Sequence, residues 1–142
     1  MSGAVYMSDT DNHRVLRVGS DGHGTLVVGD GSVSSAGEGS PARLFPVQAP
    51  KQLALDAYGN LYITSTTSVR LAANVDGDAD ADGDDPVTTV FGGGDRLRFP
   101  KSDAFCLSAL TLDDDGVVYV ADACQGYLVK LSRVANPCVV VR

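Results

Sequence analysis

The chain of 142 residues, with 44% hydrophobic and 20% charged residues, has the length and composition of one globular domain. Its formal net charge of −7 disfavours nucleic acid and anionic membranes as partners, because like charges repel. No apolar run approaches the roughly 18 residues of a membrane helix. The N-terminus lacks a basic region followed by an apolar core, so no secretory signal is predicted either.

The first third of the chain predicts short β-strands separated by turns. Strands are expected at residues 4–7, 13–18 and 25–28, where Val, Leu and Tyr recur between polar residues. Asp21 and Gly22 form a hairpin turn between the second and third strands. No strand precedes residues 4–7, so this first unit lacks an opening strand.

A Gly/Ser-rich crossing segment, residues 29–40, leads to a second unit. Leu44 and Phe45 at its end are predicted to be buried beneath it. The second unit begins with a hairpin whose arms are residues 52–55 and 61–64, and Gly59 and Asn60 supply its tight turn. Strands at 69–73 and 87–91 complete the unit.

A third unit follows the second crossing segment, which opens on three consecutive glycines at 92–94. It consists of a hairpin over residues 107–120, a strand at 127–131 and a terminal strand at 138–141. No segment shows the 3.6-residue apolar period of a helix, so we expect little helix.

The three units are copies of one repeat. Tyr6, Tyr62 and Tyr119 recur at intervals of 56 and 57 residues, and Asp9, Ser65 and Asp122 keep the same offsets. Repeated units of four antiparallel strands are typical of β-propeller blades. The predicted fold is therefore all-β, a single domain of about three blades at residues 3–29, 50–92 and 106–142, of which the first is incomplete.

Several stretches resemble the NHL-repeat β-propeller family. They are SDTDNHRVLRV at 8–18, TLVVGDG at 25–31 and GEGSPARLFPVQAPKQLALDAYGNLYI at 37–63. Asn12, His13 and Arg14 match the family's Asn-His-Arg triplet, which the other two repeats lack. The resemblance covers nearly the whole chain and implies a propeller, usually of six blades.

Three blades leave two open ends, so the resemblance has two consequences for assembly. One hypothesis is a homodimer in which two half-rings close a six-bladed ring. The other is that the chain is a fragment of a longer propeller protein. The half-ring is expected to be a binding or scaffold module whose partner is a protein or peptide, whereas a fragment would have no independent function.

The predicted inner arms of the second and third units, LALD and LTLD, each end in an aspartate, Asp56 and Asp113. These two are the candidate ligand-binding residues, because inner arms face the central channel of a propeller. The alternative function is a metal-dependent propeller enzyme, a lyase or hydrolase. The chain has only two histidines, so it cannot supply a three-histidine zinc site alone. His13 and Arg14 are predicted to be structural.

An acidic run between the second unit's last two strands offers a candidate calcium site. Asp78, Asp80 and Asp82, followed by Gly83, match the start of a calcium loop, since alternating carboxylates can converge on Ca²⁺. Thr89 stands where the loop's closing glutamate belongs. The competing interpretation is a solvated acidic hairpin tip.

Three cysteines lie in the last third, at spacings that match neither a zinc knuckle nor a CxxC redox pair. Cys106 precedes one arm of the third hairpin and Cys124 follows the other. Pairing of the arms would bring these two thiols together, either as a disulfide or as buried free thiols. A disulfide would indicate an extracytoplasmic location.

Overall fold

A computed structural model describes residues 3–33, 37–74, 83–92, 106–131 and 139–141. These residues form three antiparallel sheets, which we name the first, second and third blades. The first blade contains β1 (Val5–Asp9), β2 (Arg14–Val18) and β3 (Gly24–Val28). The second contains β4 (Leu53–Leu55), β5 (Leu61–Thr64), β6 (Ser68–Ala72) and β7 (Val87–Gly92). The third contains β8 (Leu107–Leu112), β9 (Val118–Asp122), β10 (Tyr127–Leu131) and β11 (Val139–Val141).

Every strand pairs with the next strand of its own blade, so each blade is a simple meander. The second and third blades have four strands and the first has three. Short 3-10 helices at Thr10–Asn12 and Ala42–Leu44 are the helical elements of the described residues. The prediction of an all-β chain with a three-stranded first unit is confirmed.

Two hydrophobic cores lie between the blades. The first joins Val15 and Val28 of the first blade to Leu61 and Ile63 of the second, all of them fully buried. The second joins the other face of the second blade, through Tyr62, Val69 and Phe91, to the third. Because alternate residues of a strand point to opposite faces, the second blade buries both of its faces.

The first crossing segment packs between the first and second blades. Its residues 39–43 run antiparallel to residues 83–87, with backbone bonds from Gly39 to Val87 and from Ala42 to Asp85. Phe45 is buried beneath it as predicted, at 2% exposure. The same prediction was wrong for Leu44, which is 60% exposed because its side chain points away from the core at the end of the 3-10 helix.

Glu38 and Arg70 attach this segment to the second blade. The Arg70 guanidinium lies 2.8 Å from the Glu38 carboxylate and 5.1 Å from the centre of the Phe45 ring. The same carboxylate accepts a 2.7 Å bond from the Thr89 backbone N–H. Burial lowers the pKa of Arg70, and the neighbouring Glu38 opposes that shift.

Within the described part of the chain, no helix is long and apolar enough to cross a membrane.

Candidate functional site

Asp56 lies in the turn between β4 and β5 and holds that turn together. Its carboxylate accepts bonds from the backbone N–H groups of Tyr58 and Asn60, at 2.9 and 3.0 Å, and from the Asn60 side chain at 2.8 Å. The residue is 8% exposed. An aspartate that binds the backbone N–H two residues ahead is the usual stabilising device of such turns.

Asp113 occupies the equivalent turn between β8 and β9. It accepts bonds from the N–H groups of Asp115 and Val117, at 3.1 and 2.9 Å, and from the Tyr119 hydroxyl at 3.0 Å. The Val117 bond is the main reason that the pKa of Asp113 is lowered. Both candidate ligand-binding carboxylates therefore serve their own turns, and binding by either would have to use the lone pairs that remain.

The calcium candidates Asp78, Asp80 and Asp82 lie outside the described residues. Among the residues that are described, no group of three or more His, Cys, Asp or Glu side chains is placed to hold a metal ion.

Cys106 and Cys124 are joined by a disulfide, with their Cα atoms 5.2 Å apart. The Asp122 carboxylate holds the same two residues, because its Oδ1 accepts a 3.1 Å bond from the backbone N–H of each. Asp122 is 2% exposed, and its Oδ2 has no hydrogen-bond partner within the described structure. Covalent and polar contacts thus close the third hairpin at the same point.

The Asn-His-Arg triplet divides into two roles. Asn12 and Arg14 both bind the Asp9 carboxylate, each at 2.7 Å, so they close the turn between β1 and β2. The Arg14 bond is the largest cause of the lowered pKa of Asp9. His13 between them has a left-handed backbone, with φ of 55°, which turns its side chain away from this cluster.

His13 and its neighbours bind the segment that leads into the second blade. The His13 Nδ1 accepts the backbone N–H of Ala49 at 3.1 Å. The hydroxyls of Ser8 and Thr10 donate to the backbone carbonyls of Lys51 and Pro50, both at 2.8 Å. Between the second and third blades, the Thr66 carbonyl accepts a hydrogen bond from the Leu107 backbone N–H. We name these bonds the inter-blade contacts.

In every blade, the recurring tyrosine and its two neighbours in the strand point to opposite faces of the sheet. One face carries the tyrosine, and we name it the tyrosine face. The other carries its two neighbours, and we name it the aliphatic face. The neighbours are Val5 and Met7 in the first blade, Leu61 and Ile63 in the second, and Val118 and Val120 in the third.

Each core is a tyrosine face packed on the next blade's aliphatic face. Tyr6 packs on the core that contains Leu61 and Ile63, and Tyr62 lies in the core that contains Val118 and Val120. The four aliphatic residues in these cores are at most 2% exposed.

Part of the first blade's aliphatic face is exposed to solvent. Val5 is 63% and Met7 47% exposed, although their equivalents in the other two blades are buried. Leu26 lies on the same face, because it pairs with Leu16, which in turn pairs with Met7, and it is 38% exposed. At the other end, the tyrosine face of the third blade is only partly covered, with Leu128 44% exposed. The three-blade pattern predicts two open ends but does not identify the residues that lie on them, although the aliphatic pair that flanks each tyrosine is a signal for those residues.

Comparison with known proteins identifies the fold. No family model matches the chain, and no curated protein matches it. Among solved structures, the chain resembles virginiamycin B lyase from Staphylococcus aureus, with a TM-score of 0.64 and 12% sequence identity. The match covers 100% of this chain and 38% of the lyase.

That likeness supports a β-propeller-like fold for the three sheets and confirms the predicted fold class. At 12% identity it indicates the fold alone. The chain spans little more than a third of the lyase's length. Membership of the NHL-repeat family stays a prediction.

Proposed function

We propose that this chain is a half-ring that functions as a protein- or peptide-binding propeller module, and that a second copy completes the ring. The exposure of Val5 and Met7, at positions that are buried in both other blades, is the observation that carries the proposal. A buried aliphatic side chain contributes about 1.5–3 kcal/mol relative to an exposed one. The first blade therefore gains stability if another blade covers it.

The two open ends are complementary because each is one half of an interface that the chain already contains twice. The third blade offers a tyrosine face with Tyr119, and the first offers an aliphatic face with Val5 and Met7. Joining the third blade of one copy to the first blade of another repeats the internal contact. If each blade rotates the chain by a sixth of a turn, two copies close a symmetric six-bladed ring.

The competing hypothesis is that the covering blade belongs to a longer chain of which these residues are one part. The 38% coverage of the lyase is consistent with that hypothesis too. Absolute mass in solution separates the two, measured by light scattering after size exclusion, with and without calcium. The proposal expects a mass near twice the 14.7 kDa of the chain. A monomer at micromolar concentration, or a polydisperse aggregate, contradicts ring closure by a second copy.

Two substitutions test which surface forms the contact. Met7→Asp and Leu128→Asp place a charge on opposite end faces, and each should shift the mass towards that of a single chain. Val33→Asp is the matched control, because Val33 is 58% exposed but lies on the first crossing segment. A dimer that survives both end-face changes is not the proposed ring.

A metal-dependent propeller enzyme is the second candidate, and the likeness to a lyase favours it. Its test is thermal unfolding with Ca²⁺, Mg²⁺ or Zn²⁺ added to the metal-free chain. Stabilisation that persists when Asp78, Asp80 and Asp82 are changed to Asn supports a metal site elsewhere, as the enzyme requires, whereas stabilisation that disappears supports the separate calcium site of the acidic run. An unchanged midpoint with every ion contradicts it.

A further inference from the structure

In each blade, the turn that follows the tyrosine-bearing strand is held by a side chain at the same repeat position. Asp9 holds it in the first blade by accepting bonds from two side chains of the turn. Ser65 holds it in the second blade through a neighbouring serine, and Asp122 holds it in the third through backbone N–H groups. The Cys106–Cys124 disulfide is therefore an addition to a turn that the repeat closes without one.

Asp122 positions the backbone of both cysteines independently of the S–S bond. Its Oδ1 accepts the N–H groups of Cys106 and Cys124, both at 3.1 Å, and that of Gln125 at 3.3 Å. The Cys106 carbonyl accepts the N–H of Ala123 at 3.0 Å. Asp122 is 2% exposed, so water competes little for its bonds. Because none of these bonds requires the disulfide, we expect the two cysteines to stay side by side after reduction.

The two cysteines differ in their accessibility to a reagent in solution. Cys124 is exposed, whereas Cys106 is half-buried. Thiol–disulfide exchange begins when a thiolate attacks one sulfur of the disulfide, and its rate depends on access to that sulfur. Exposed disulfides are for this reason among the labile ones. The exposure therefore assigns Cys124 as the sulfur that is attacked and Cys106 as the one that leaves.

We infer that the Cys106–Cys124 pair is a reversible thiol–disulfide exchange site, whose reaction partner is a dithiol. Asp122 is its positioning residue, because it keeps the two cysteines in place for the bond to form again. The inference goes beyond the proposed function and does not depend on a second copy, since all three residues belong to the third hairpin of one chain.

The exchange proceeds in two displacements. One thiolate of the dithiol attacks the Cys124 Sγ, which forms a mixed disulfide and breaks the bond to Cys106. The Cys106 sulfur leaves as a thiolate and takes a proton from solvent. The second thiol of the reagent loses its proton, attacks its own mixed sulfur and releases Cys124, which is protonated in turn. The dithiol loses two electrons and two protons, and the two cysteines gain them.

The rate of reduction in the folded chain tests the accessibility of the pair. Cys138→Ser leaves Cys106 and Cys124 as the only cysteines, and dithiothreitol is the dithiol. The rate should rise in proportion to the dithiothreitol concentration and should change little with urea below the unfolding transition, because attack at Cys124 requires no unfolding. A rate that rises steeply with urea over that range shows that only unfolded chains react, and it overturns the inference.

The equilibrium between the thiols and the disulfide tests the role of Asp122. Glutathione buffers measure the effective concentration of one cysteine at the other in the folded chain. Asp122→Ala should lower it at least about tenfold, because two hydrogen bonds that hold the cysteines are lost. Asp122→Asn retains an acceptor oxygen and should recover most of that loss. In urea sufficient to unfold every variant, all three chains should have the same value.

Asp113→Ala is the matched control, because Asp113 binds the backbone at the opposite end of the same hairpin. It should destabilise the chain and leave the effective concentration of the thiols unchanged. Equal values for Asp113→Ala and Asp122→Ala overturn the positioning role. If Asp122→Ala does not fold, hydrogen exchange of the reduced parent chain decides. Amides of Cys106 and Cys124 that stay protected support the role, and amides that lose protection on reduction overturn it.

Discussion

The His13 imidazole accepts a hydrogen bond from the backbone N–H of Ala49 at 3.1 Å and so joins the first blade to the entry of the second. Ala49 has a left-handed backbone, with φ of 43°, and precedes Pro50. The histidine is therefore a structural link between blades.

Replacing His13 should destabilise the chain measurably. His13→Ala leaves a partly buried N–H without its acceptor, which costs about 1–2 kcal/mol in free energy of unfolding. Urea denaturation followed by circular dichroism measures the change. His23→Ala is the control, since His23 is exposed in a hairpin turn, and it should leave the midpoint unchanged. Equal midpoints for the two variants contradict the assigned link.

A methyl group at Gly92 should be far more costly than one at Gly116. Both glycines have positive φ, 73° and 75°, so alanine is strained at each by about 1–2 kcal/mol. At Gly92 the new Cβ would also collide with the Thr67 carbonyl oxygen, while at Gly116 it meets open space. We expect Gly92→Ala to cost about 3 kcal/mol or more. Similar unfolding midpoints for the two variants would falsify the close approach.

Loss of the Glu38 carboxylate should lower the free energy of unfolding more than loss of an exposed ion pair does. Glu38→Gln leaves the largely buried Arg70 guanidinium without its counter-charge and should cost about 1 kcal/mol. Arg43→Gln breaks a surface pair with Asp84, whose side chains are 52% and 69% exposed, and should cost about 0.5 kcal/mol or less. Chemical denaturation at two salt concentrations compares them. The larger loss must belong to Glu38→Gln.

Removal of the Cys106–Cys124 disulfide should lower the free energy of unfolding by about 3 kcal/mol. The disulfide closes a loop with a sequence separation of 18 residues, and the unfolded chain gains conformational entropy when that loop is opened. The double Cys→Ser variant and the reduced wild-type chain should have the same urea midpoint. Cys138→Ser, which leaves the pair intact, is the control. A midpoint that is insensitive to reductant shows that the Asp122 bonds suffice to hold the hairpin.

Acid should weaken the third hairpin through Asp113. The pKa of this carboxyl is lowered in the folded chain, so its contribution to stability is complete above the unfolded pKa of about 3.9 and is lost as the pH falls through the folded pKa. Asp113→Asn should therefore flatten the fall in stability between about pH 5 and pH 2. Asp114→Asn, at an exposed neighbour, should retain the wild-type slope.

Local sequence patterns predicted the strands and their grouping. Alternating aliphatic residues, the turn glycines and the tyrosine repeat identified three strand units and an incomplete first blade, because these features depend on near neighbours and one repeat length. Strand ends moved by only a residue or two. For example, β1 continues to Asp9, whereas the first strand is predicted to end at residue 7.

The candidate site was less predictable, since its chemistry depends on what surrounds each side chain. In the sequence, Asp56 and Asp113 each end a predicted inner arm, a position that faces the central channel of a propeller. In the structure, their carboxylates accept hydrogen bonds from the backbone of their own turns. The exposure of Val5 and Met7 cannot be predicted from the sequence, because the equivalent residues of the other two blades are apolar as well.

The amino-acid sequence by itself determined the blades, their order and the pairing of each strand with the next, because hydrophobic alternation and turn chemistry act over short distances. Only the tertiary structure decided which faces are covered and which bonds join one blade to the next. Covering a face requires residues from another blade, about one repeat away in the chain, and no local pattern records whether that blade is there.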